Sequence, residues 1–335
     1  MAFKCIITLT GSLKIPHQKE LTMKFIIAGF GSIGRRHLRN LRELGQTDLV
    51  LLRSGRSTLP DDEVRELPVV NTIEEALALK PDGIVIANPT ALHLPLAIPA
   101  LEAGVAVMME KPLTGDPAEA AAAAETLKAG HGRFLMGFQY RFHPGLLEIK
   151  RRIESGEIGR ILSYRVTWGE YLPGWHPWED YRQSYAARAD LGGGVLATLC
   201  HPLDYCTWLF GNTARIWGFN GKISDLELSV DDVAEIGLAH GSGVIGSIHL
   251  DYYRRVGRND AEITGTEGIL RWRNDDGQVC LLKPNEETET WLPPEGFERN
   301  WLFLDEMRHF IEVASGIAEP SCTVDDGLRS MRMID

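Results

Sequence analysis

The first feature of the sequence that indicates chemistry is a glycine-rich segment between an apolar run and a helical pattern. Gly29 allows a tight turn, Gly31 lets the backbone approach a pyrophosphate, and Gly34 lets the helix pack close to the strand. The free N–H groups at the start of the helix attract phosphate oxygens. We therefore predict a dinucleotide site, with a purely structural glycine turn as the alternative. The predicted cofactor-binding residues of this segment are Gly29, Phe30, Gly31, Ser32, Ile33 and Gly34.

The type of dinucleotide is indicated by the residues that follow the second predicted strand, 48–52. An acidic residue at this point would bind the adenosine ribose and repel a 2′-phosphate. The chain has Arg53, Ser54 and Arg56 instead, and guanidinium groups bind phosphate through charged, often bidentate hydrogen bonds. We therefore expect NADP in preference to NAD. Solvated loop arginines are the alternative, and the acidic pair 61–62 could reach back to the ribose.

Two further predicted strands, 83–87 and 105–109, are each followed by a short polar segment. Ligands of open α/β sheets bind outside the carboxyl ends of the strands, so both segments are expected to face the cofactor. The predicted cofactor-binding residues of these two segments are Asn88, Pro89, Thr90, His93, Glu110 and Lys111.

These residues require alternating strands and helices in the first half of the chain, and the second half has a different pattern. Strand, glycine turn and helix predict an α/β Rossmann domain, a doubly wound parallel sheet, over residues 23–142. Period-two apolar alternation over residues 143–335 predicts an α+β domain with a large, mainly antiparallel open sheet. A helix over 195–209 is expected to carry His201. Residues 1–22 are interpreted as an N-terminal extension, with a short extra strand as the alternative.

Composition limits the classes of function. A length of 335 residues favours two domains, and a net charge of −11 argues against nucleic acid or an anionic membrane as a partner. Five cysteines without a CxxC pair, and no secretory or membrane-spanning apolar run, predict a cytoplasmic protein. Cys200 and Cys206 would diverge on a helix, so buried thiols are preferred to a zinc site, and no metal is predicted.

Several short segments together make the chain resemble the glucose–fructose oxidoreductase, inositol dehydrogenase and rhizopine-catabolism family. The resemblance covers most of residues 23–335 and is specific for the family rather than for a substrate. The segments that carry it are 29–34, 87–90 with His93, 110–112, 140–144, and 192–194 leading to His201 and Asp204.

The resemblance implies that Lys111 lies beside the substrate hydroxyl and the nicotinamide, as general acid–base. A partly desolvated lysine near a positive ring is expected to have its ammonium form disfavoured, so that it exchanges a proton with the alcohol. His201 is implied as a substrate ligand and relay partner, which its near-neutral pKa range would suit. Many members have an aspartate one turn before this histidine, where this chain has Ala197 and Thr198. Either Lys111 and His201 form the relay alone, or the chemistry differs from simple alcohol oxidation.

The expected reaction is hydride transfer between the nicotinamide of NAD(P) and a hydroxyl-bearing carbon of a sugar, a sugar derivative or a cyclitol. The aromatic and acidic segment 169–182 suits the apolar faces and hydroxyls of such ligands, although simple coverage of the sheet is a nearly equal alternative. Arg188 is expected to bind an anionic substrate group or to cap carbonyls. The open sheet face predicts a homo-oligomer, a dimer or a tetramer. The predicted substrate-binding residues are Lys111, Tyr140, Arg141, Trp175, Arg188, His201 and Asp204.

Two other functions remain open at this point. In the first, the protein is an enzyme without net oxidation or reduction, in which tightly held NAD serves transient oxidation during glycoside cleavage or epimerisation. In the second, it is a non-catalytic cofactor-binding regulatory protein of the same fold. The missing aspartate leaves the second alternative open, and the intact segment 110–112 argues against it.

Overall fold

The described residues of the protein form two β-sheets with helices packed against them. In the computed structural model these residues are 22–53, 55, 65–129, 133–177 and 179–334. The predictions for Ser54 and Arg56, for the acidic pair 61–62 and for nearly all of the N-terminal extension therefore lie outside the described residues. Among the helices of the described part, none is long and apolar enough to cross a lipid bilayer.

The first sheet is parallel throughout and has the strand order β3-β2-β1-β4-β5-β6. Apart from the partly buried Lys24 at the start of β1 and Glu110 at the end of β5, its central strands are apolar and buried, as expected when both faces of a parallel sheet are covered by helices. The strand order reverses between β1 and β4, which places a crevice at their carboxyl ends. The elements are β1 Lys24–Ala28, α1 Ser32–Glu43, β2 Asp48–Leu52, β3 Val69–Val70, α2 Ile73–Ala78, β4 Gly83–Ile86, α3 Leu94–Glu102, β5 Ala106–Glu110, α4 Pro117–Ala129 and β6 Phe134–Gly137.

The second sheet has eight strands in the order β14-β13-β12-β11-β7-β10-β9-β8, and only the pair β7–β10 is parallel. Buried and exposed side chains alternate along β10, which is the pattern of a sheet covered on one face. The predicted fold class is therefore confirmed for both halves of the chain. The elements are α5 Pro144–Glu154, β7 Ile161–Tyr171, α6 Val195–Thr198, α7 His201–Phe210, β8 Thr213–Gly221, β9 Val233–His240, β10 Ile245–Asp251, β11 Tyr253–Gly265, β12 Ile269–Arg273, β13 Val279–Leu282 and β14 Glu289–Trp291.

The helix predicted over 195–209 is wrong, because the structure divides this segment into two helices. The first, α6, ends at Thr198, and the second, α7, begins at His201. Pro202 occupies the first turn of α7. A proline has no N–H and its ring clashes with the carbonyl four residues earlier, so a continuous helix is unfavourable at this point.

Two C-terminal helices, α8 over Asn300–Ser315 and α9 over Val324–Ile334, pack back on the first sheet. The ring of Phe310 in α8 lies 5.8 Å from that of Phe25 in β1. The carbonyl before α9, that of Cys322, accepts a 2.9 Å hydrogen bond from the N–H of Met136 in β6. The predicted domain division between residues 142 and 143 remains a prediction; it falls between β6 and β7, and the core of the first sheet also includes residues of α8.

Candidate active site

The glycine-rich segment has the geometry of a phosphate-binding turn. Gly29 has φ +88°, and a Cβ there would lie 2.5 Å from the backbone nitrogen of Asn88, so only glycine fits. A Cβ at Gly34 would lie 2.2 Å from the Gly29 carbonyl oxygen, so the start of the helix packs closely against the glycine turn. Around Gly31 no atom of the described residues lies within 4 Å of an added Cβ. Gly31, at the N-cap of α1, has no side chain that could bind the N–H groups of the first turn, and these groups therefore suit a pyrophosphate.

His93 joins the two polar segments at the carboxyl ends of β4 and β5. Its Nδ1 lies 2.9 Å from the carbonyl oxygen of Pro112 and its Nε2 lies 3.0 Å from that of Asn88. Burial lowers the pKa of His93, so the ring is neutral and donates its single N–H to one carbonyl at a time. The histidine therefore fixes the spacing of the two loops that border the crevice.

The Glu110 carboxylate is directed away from the crevice, towards α1. Its Oε1 lies 2.7 Å from Nε2 of the fully buried His37. Burial alone would raise the pKa of Glu110, but the hydrogen bond and charge of His37, followed by the charge of Lys111, lower it below its ordinary value. Glu110 is therefore an ionised group that stabilises the Lys111 ammonium through its charge, while its hydrogen bond goes to His37.

The Lys111 ammonium is held by a backbone oxygen of the second half of the chain. Its Nζ donates a 2.6 Å hydrogen bond to the carbonyl of Thr198, the last residue of α6. In a continuous helix this carbonyl would accept from the N–H of residue 202, but Pro202 has none. The helix break thus supplies the acceptor for Lys111.

The expectation that the Lys111 ammonium is disfavoured is wrong when only the groups of the protein itself act on the lysine. Burial acts to lower the pKa of Lys111, but Tyr185, Cys200 and Glu110 together outweigh burial and raise it above 10.5. Lys111 is therefore protonated at neutral pH. Tyr185 is a residue that the sequence analysis did not identify, since it lies in a short 3₁₀ turn far from Lys111 along the chain.

His201 is buried at the start of α7, with 2% of its surface exposed. Trp168 stacks on its ring at 5.6 Å and 18°, and the Tyr140 ring lies at 4.9 Å. Its Nε2 accepts from Nε2 of Gln139 at 3.3 Å, so the ring proton is on Nδ1. Neither Nδ1 of His201 nor Oε1 of Gln139 has a partner within the described part of the chain.

The pKa of His201 is not near neutral as expected. Burial, followed by the positive charges of Lys111 and Arg299, lowers the pKa of His201 well below 6.5. A neutral imidazole can donate one hydrogen bond and accept another, but it does not carry the extra proton of an acid–base relay at neutral pH. His201 thus fits the part of a hydroxyl ligand better than that of a charged relay.

Arg141 and Asp204 form a buried ion pair rather than an open binding surface. The Arg141 guanidinium donates to both oxygens of Asp204, at 2.9 and 2.6 Å, and to Asp326 of α9 at 2.7 Å. Its remaining nitrogen donates to the carbonyl of Ser321 at 2.6 Å. The ligand atoms of Asp204, Cys322 and Asp326 lie within 4.8 Å of one another, but the guanidinium already supplies the cation between the two carboxylates.

Two family models match the chain. The NAD-binding Rossmann fold of an oxidoreductase family matches residues 23–138, and the GFO/IDH/MocA C-terminal domain matches residues 146–271. The chain belongs to the GFO/IDH/MocA oxidoreductase family. The resemblance identified in the sequence and the class of enzyme, an NAD-binding oxidoreductase, are thereby confirmed.

Named relatives of this GFO/IDH/MocA chain extend over most of its length. The scyllo-inositol 2-dehydrogenase (NAD(+)) of Bacillus subtilis (strain 168) is 28% identical over 316 residues, 91% of this chain and 90% of that protein. The D-apiose dehydrogenase of Paraburkholderia graminis is 24% identical over 336 residues, 93% of this chain and 86% of that protein. A levoglucosan dehydrogenase, solved in complex with NADH and levoglucosan, superposes with a TM-score of 0.82 at 20% identity and covers 93% of this chain and 95% of its own. At this identity the structural likeness shows the fold alone.

The structure brings together only some of the predicted site residues of this GFO/IDH/MocA chain. Lys111, His201 and Tyr140 are brought together with Gln139, which the sequence analysis did not identify although it directly precedes Tyr140. Arg188 is not among them, because its guanidinium is paired with Asp190 at the surface.

The ring of Trp175 lies edge-on to Tyr252 at 5.6 Å, and its buried Nε1 has no partner among the residues that the structure describes. Arg53 lies on the dinucleotide side, with its guanidinium 5.5 Å from the centre of the Phe30 ring. The predicted roles of Trp175 and Arg53 remain predictions.

Proposed function

We propose that this oxidoreductase transfers hydride reversibly between the nicotinamide of NAD(P) and a hydroxyl-bearing carbon of a sugar, a sugar derivative or a cyclitol. The observation that carries the proposal is a pair of buried polar atoms, Nδ1 of His201 and Oε1 of Gln139, that have no partner among the described residues and lie near the Lys111 charge. A polyhydroxylated ligand can bind a donor, an acceptor and a cation at one place. The names of the relatives refer to inositol, apiose and levoglucosan, which all carry several hydroxyl groups.

Lys111 is the proton donor and acceptor of the proposed mechanism. When bound, the dinucleotide supplies the two-electron acceptor or donor of the reaction. The Thr198 carbonyl holds one of the three protons of Lys111 Nζ, so the other two are free to face a substrate oxygen. In reduction, the ammonium gives a proton to that oxygen. In oxidation, Lys111 must first lose its proton before it can accept one from the alcohol.

His201 and Gln139 position the substrate in this proposal. The N–H of His201 Nδ1 donates to one hydroxyl, and Oε1 of Gln139 accepts from another. The rings of Trp168 and Tyr140 fix the imidazole plane, so the direction of the first hydrogen bond is set before the substrate arrives. The missing aspartate is replaced, for the purpose of orienting Lys111, by the Thr198 carbonyl.

The proposed preference for NADP depends on Arg53. Its guanidinium beside Phe30 lies next to the glycine turn, where a 2′-phosphate would gain a charged hydrogen-bond donor. Arg53→Ala is expected to weaken NADP⁺ binding about tenfold in a calorimetric titration and to change NAD⁺ binding much less. Equal losses for the two dinucleotides would contradict the preference and leave the dehydrogenase proposal intact.

The proposal as a whole is tested by titrating the protein with NADP⁺ and NAD⁺ and then assaying a panel of sugars and cyclitols. Reduction of a bound dinucleotide by at least one polyol is the expected result. Lys111→Ala should abolish this turnover while dinucleotide binding stays close to that of the wild type. Lys128→Ala, which removes a lysine from a surface ion pair with Asp325, is the matched control and should leave turnover unchanged. Unchanged turnover in Lys111→Ala would overturn the mechanism.

We also propose that the chain forms a homo-oligomer through the outer edge of the second sheet. Strand β8 exposes two large apolar side chains on one face, those of Trp217 and Phe219, with 55% and 57% of their surfaces accessible. An apolar patch of this kind is typical of a protein–protein interface. Trp217→Arg should lower the mass measured by analytical ultracentrifugation, and an unchanged mass would contradict the assignment of this surface.

A further inference from the structure

A second cavity lies outside the crevice, at the opposite end of α7 from His201. It has a volume of about 340 Å³ and is formed between α7, the start of β8 and α9. We call it the arginine cavity, because three of its lining residues are arginines. Its polar and charged lining residues include Thr207, Thr213, Arg215, Arg329 and Arg332, with Met333 beside them. Volumes of this size accommodate small metabolites.

The charges of the arginine cavity are not balanced by the carboxylates around it. Arg329 pairs with Asp326. Arg332 donates only to the carbonyl of Leu328, at 3.4 Å, and within the described ranges neither Arg332 nor Arg215 has an ion-pair partner. This excess of positive charge is notable in a chain with a net charge of −11, because the long-range field of the protein favours cations rather than anions.

We propose that the arginine cavity binds a small oxyanion, a metabolite that carries a phosphoryl or a carboxylate group. Guanidinium groups bind both kinds of oxyanion with paired, charge-assisted hydrogen bonds. The Thr213 hydroxyl, whose contact within the protein is with the weak acceptor Sδ of Met333 at 3.5 Å, supplies a further donor. Neither the glycine turn nor Lys111 lines this cavity, so the site is distinct from the candidate active site.

Two connections lead from the arginine cavity to the candidate active site. The first is α7, which has Thr207 at the cavity and His201 at its other end. The second is a chain of ion pairs from Arg329 to Asp326, Arg141 and Asp204, of which the last is also in α7. An anion that draws Arg329 away from Asp326 changes the charge balance around Arg141. Occupation of the cavity is therefore coupled to the helix that positions His201.

Calorimetric titration of the full chain with inorganic phosphate and with citrate tests the site, and the two probes separate phosphoryl from carboxylate recognition. Arg215→Ala and Arg332→Ala should each weaken binding about tenfold, as expected for loss of a hydrogen bond to a charged group. Arg160→Ala removes an exposed arginine that does not line the cavity and should leave the affinity unchanged. The titration requires no dinucleotide and no turnover, so its result is independent of the proposed reaction.

Equal affinities in the wild type and all three variants would place the anion elsewhere, for instance at the glycine turn, and would overturn the proposal. Absence of binding by both probes at millimolar concentration would overturn it as well. The coupling is measured by hydrogen exchange over residues 201–210. Slower exchange in the presence of the bound probe is expected for the wild type and not for Arg332→Ala. Binding without any change of exchange in α7 would overturn the coupling.

Discussion

The Lys111 ammonium donates a 2.6 Å hydrogen bond to the Thr198 carbonyl, which is available because Pro202 cannot donate to it. The proline therefore affects the candidate active site through the N–H that it lacks. A charged donor and a backbone acceptor form one of the stronger hydrogen bonds found in proteins. The position of the Lys111 nitrogen thus depends on the break between α6 and α7.

Pro202→Ala is expected to impair turnover by restoring the missing N–H. Alanine favours a continuous helix, in which residue 202 competes with Lys111 for the Thr198 carbonyl. We expect kcat to fall about tenfold while dinucleotide affinity is retained, since a hydrogen bond to a charged group contributes about 1.5–3 kcal/mol. Pro117→Ala, at the first position of α4, is the control and should leave kcat unchanged. A Pro202→Ala variant with wild-type kcat would show that the helix break does not position Lys111.

The pH dependence of the two reaction directions should differ because of the raised pKa of Lys111. Reduction uses the ammonium, so its kcat/KM should be independent of this group near neutral pH and fall only above 10.5, as the pH passes through the raised pKa. Oxidation uses the neutral amine, so its kcat/KM should rise with pH up to the same pKa. Profiles measured in both directions check this. A rate of oxidation that already reaches its plateau near neutral pH would show that the bound dinucleotide lowers the pKa of Lys111.

Arg141→Ala should lower the free energy of unfolding and have a smaller effect on substrate binding. Arg141→Ala leaves Asp204 and Asp326 as buried carboxylates without their guanidinium, a change that typically destabilises a protein by about 3–5 kcal/mol. Arg188→Ala removes a surface pair with Asp190 and should change the free energy of unfolding very little. Urea unfolding gives both values. If Arg141→Ala keeps wild-type stability but has a raised KM, the substrate-binding role predicted from the sequence applies instead.

The same ion pairs predict how acid destabilises the protein. Burial would raise the pKa of Asp326, but the nearby Arg141 and the hydrogen bonds from Thr323 lower it below 3.8. A carboxyl group whose pKa is lower in the folded state stabilises the fold above its unfolded pKa, and this stabilisation is lost as the pH falls through the folded value. Asp326→Asn should therefore have a flatter stability profile below 3.8 than the wild type. Parallel acid-unfolding curves for the two proteins would contradict this assignment.

Glu306 should destabilise the fold as the pH rises, whereas Asp326 does so as the pH falls. It is fully buried, and its two oxygens have no hydrogen-bond partner within the described residues. Burial, followed by the charge of Glu110, raises the pKa of Glu306 well above 4.5, so the stability contributed by the protonated acid is lost as the pH rises from 4.5 through the raised pKa. Glu306→Gln cannot ionise, so its Tm relative to the wild type should increase with pH. A constant difference in Tm across the pH range would show that Glu306 has an ordinary pKa.

The parts of the fold that local pattern determines were predicted well from the sequence. The bounds of β2 agree with the predicted strand 48–52, and those of β4 and β5 lie within one residue of the predicted strands 83–87 and 105–109, since a buried apolar run defines each. The single helix over 195–209 was wrong, although Pro202 was a visible signal for the break. The pKa of Lys111 could not be predicted, because Tyr185 and Cys200 approach it from segments distant in the chain.

The partner of Arg141 was also beyond local reasoning, because Asp326 is 185 positions away and no spacing rule connects the two residues. Gln139 was likewise not predicted, because its proposed role depends on its hydrogen bond with His201, which begins α7. Motifs therefore indicated which residues carry the chemistry, whereas the tertiary contacts set their charge states and partners.

The packing of α8 and α9 on the first sheet has a consequence for the order in which a ribosome releases the chain. All six parallel strands emerge long before Phe310 and Cys322, which complete their surroundings at Phe25 and Met136. The first sheet therefore keeps apolar surface uncovered until residue 322 has left the ribosome, and chaperones commonly bind such surface during synthesis. Loss of α8 and α9 would thus expose the core of a sheet whose strands are all translated earlier.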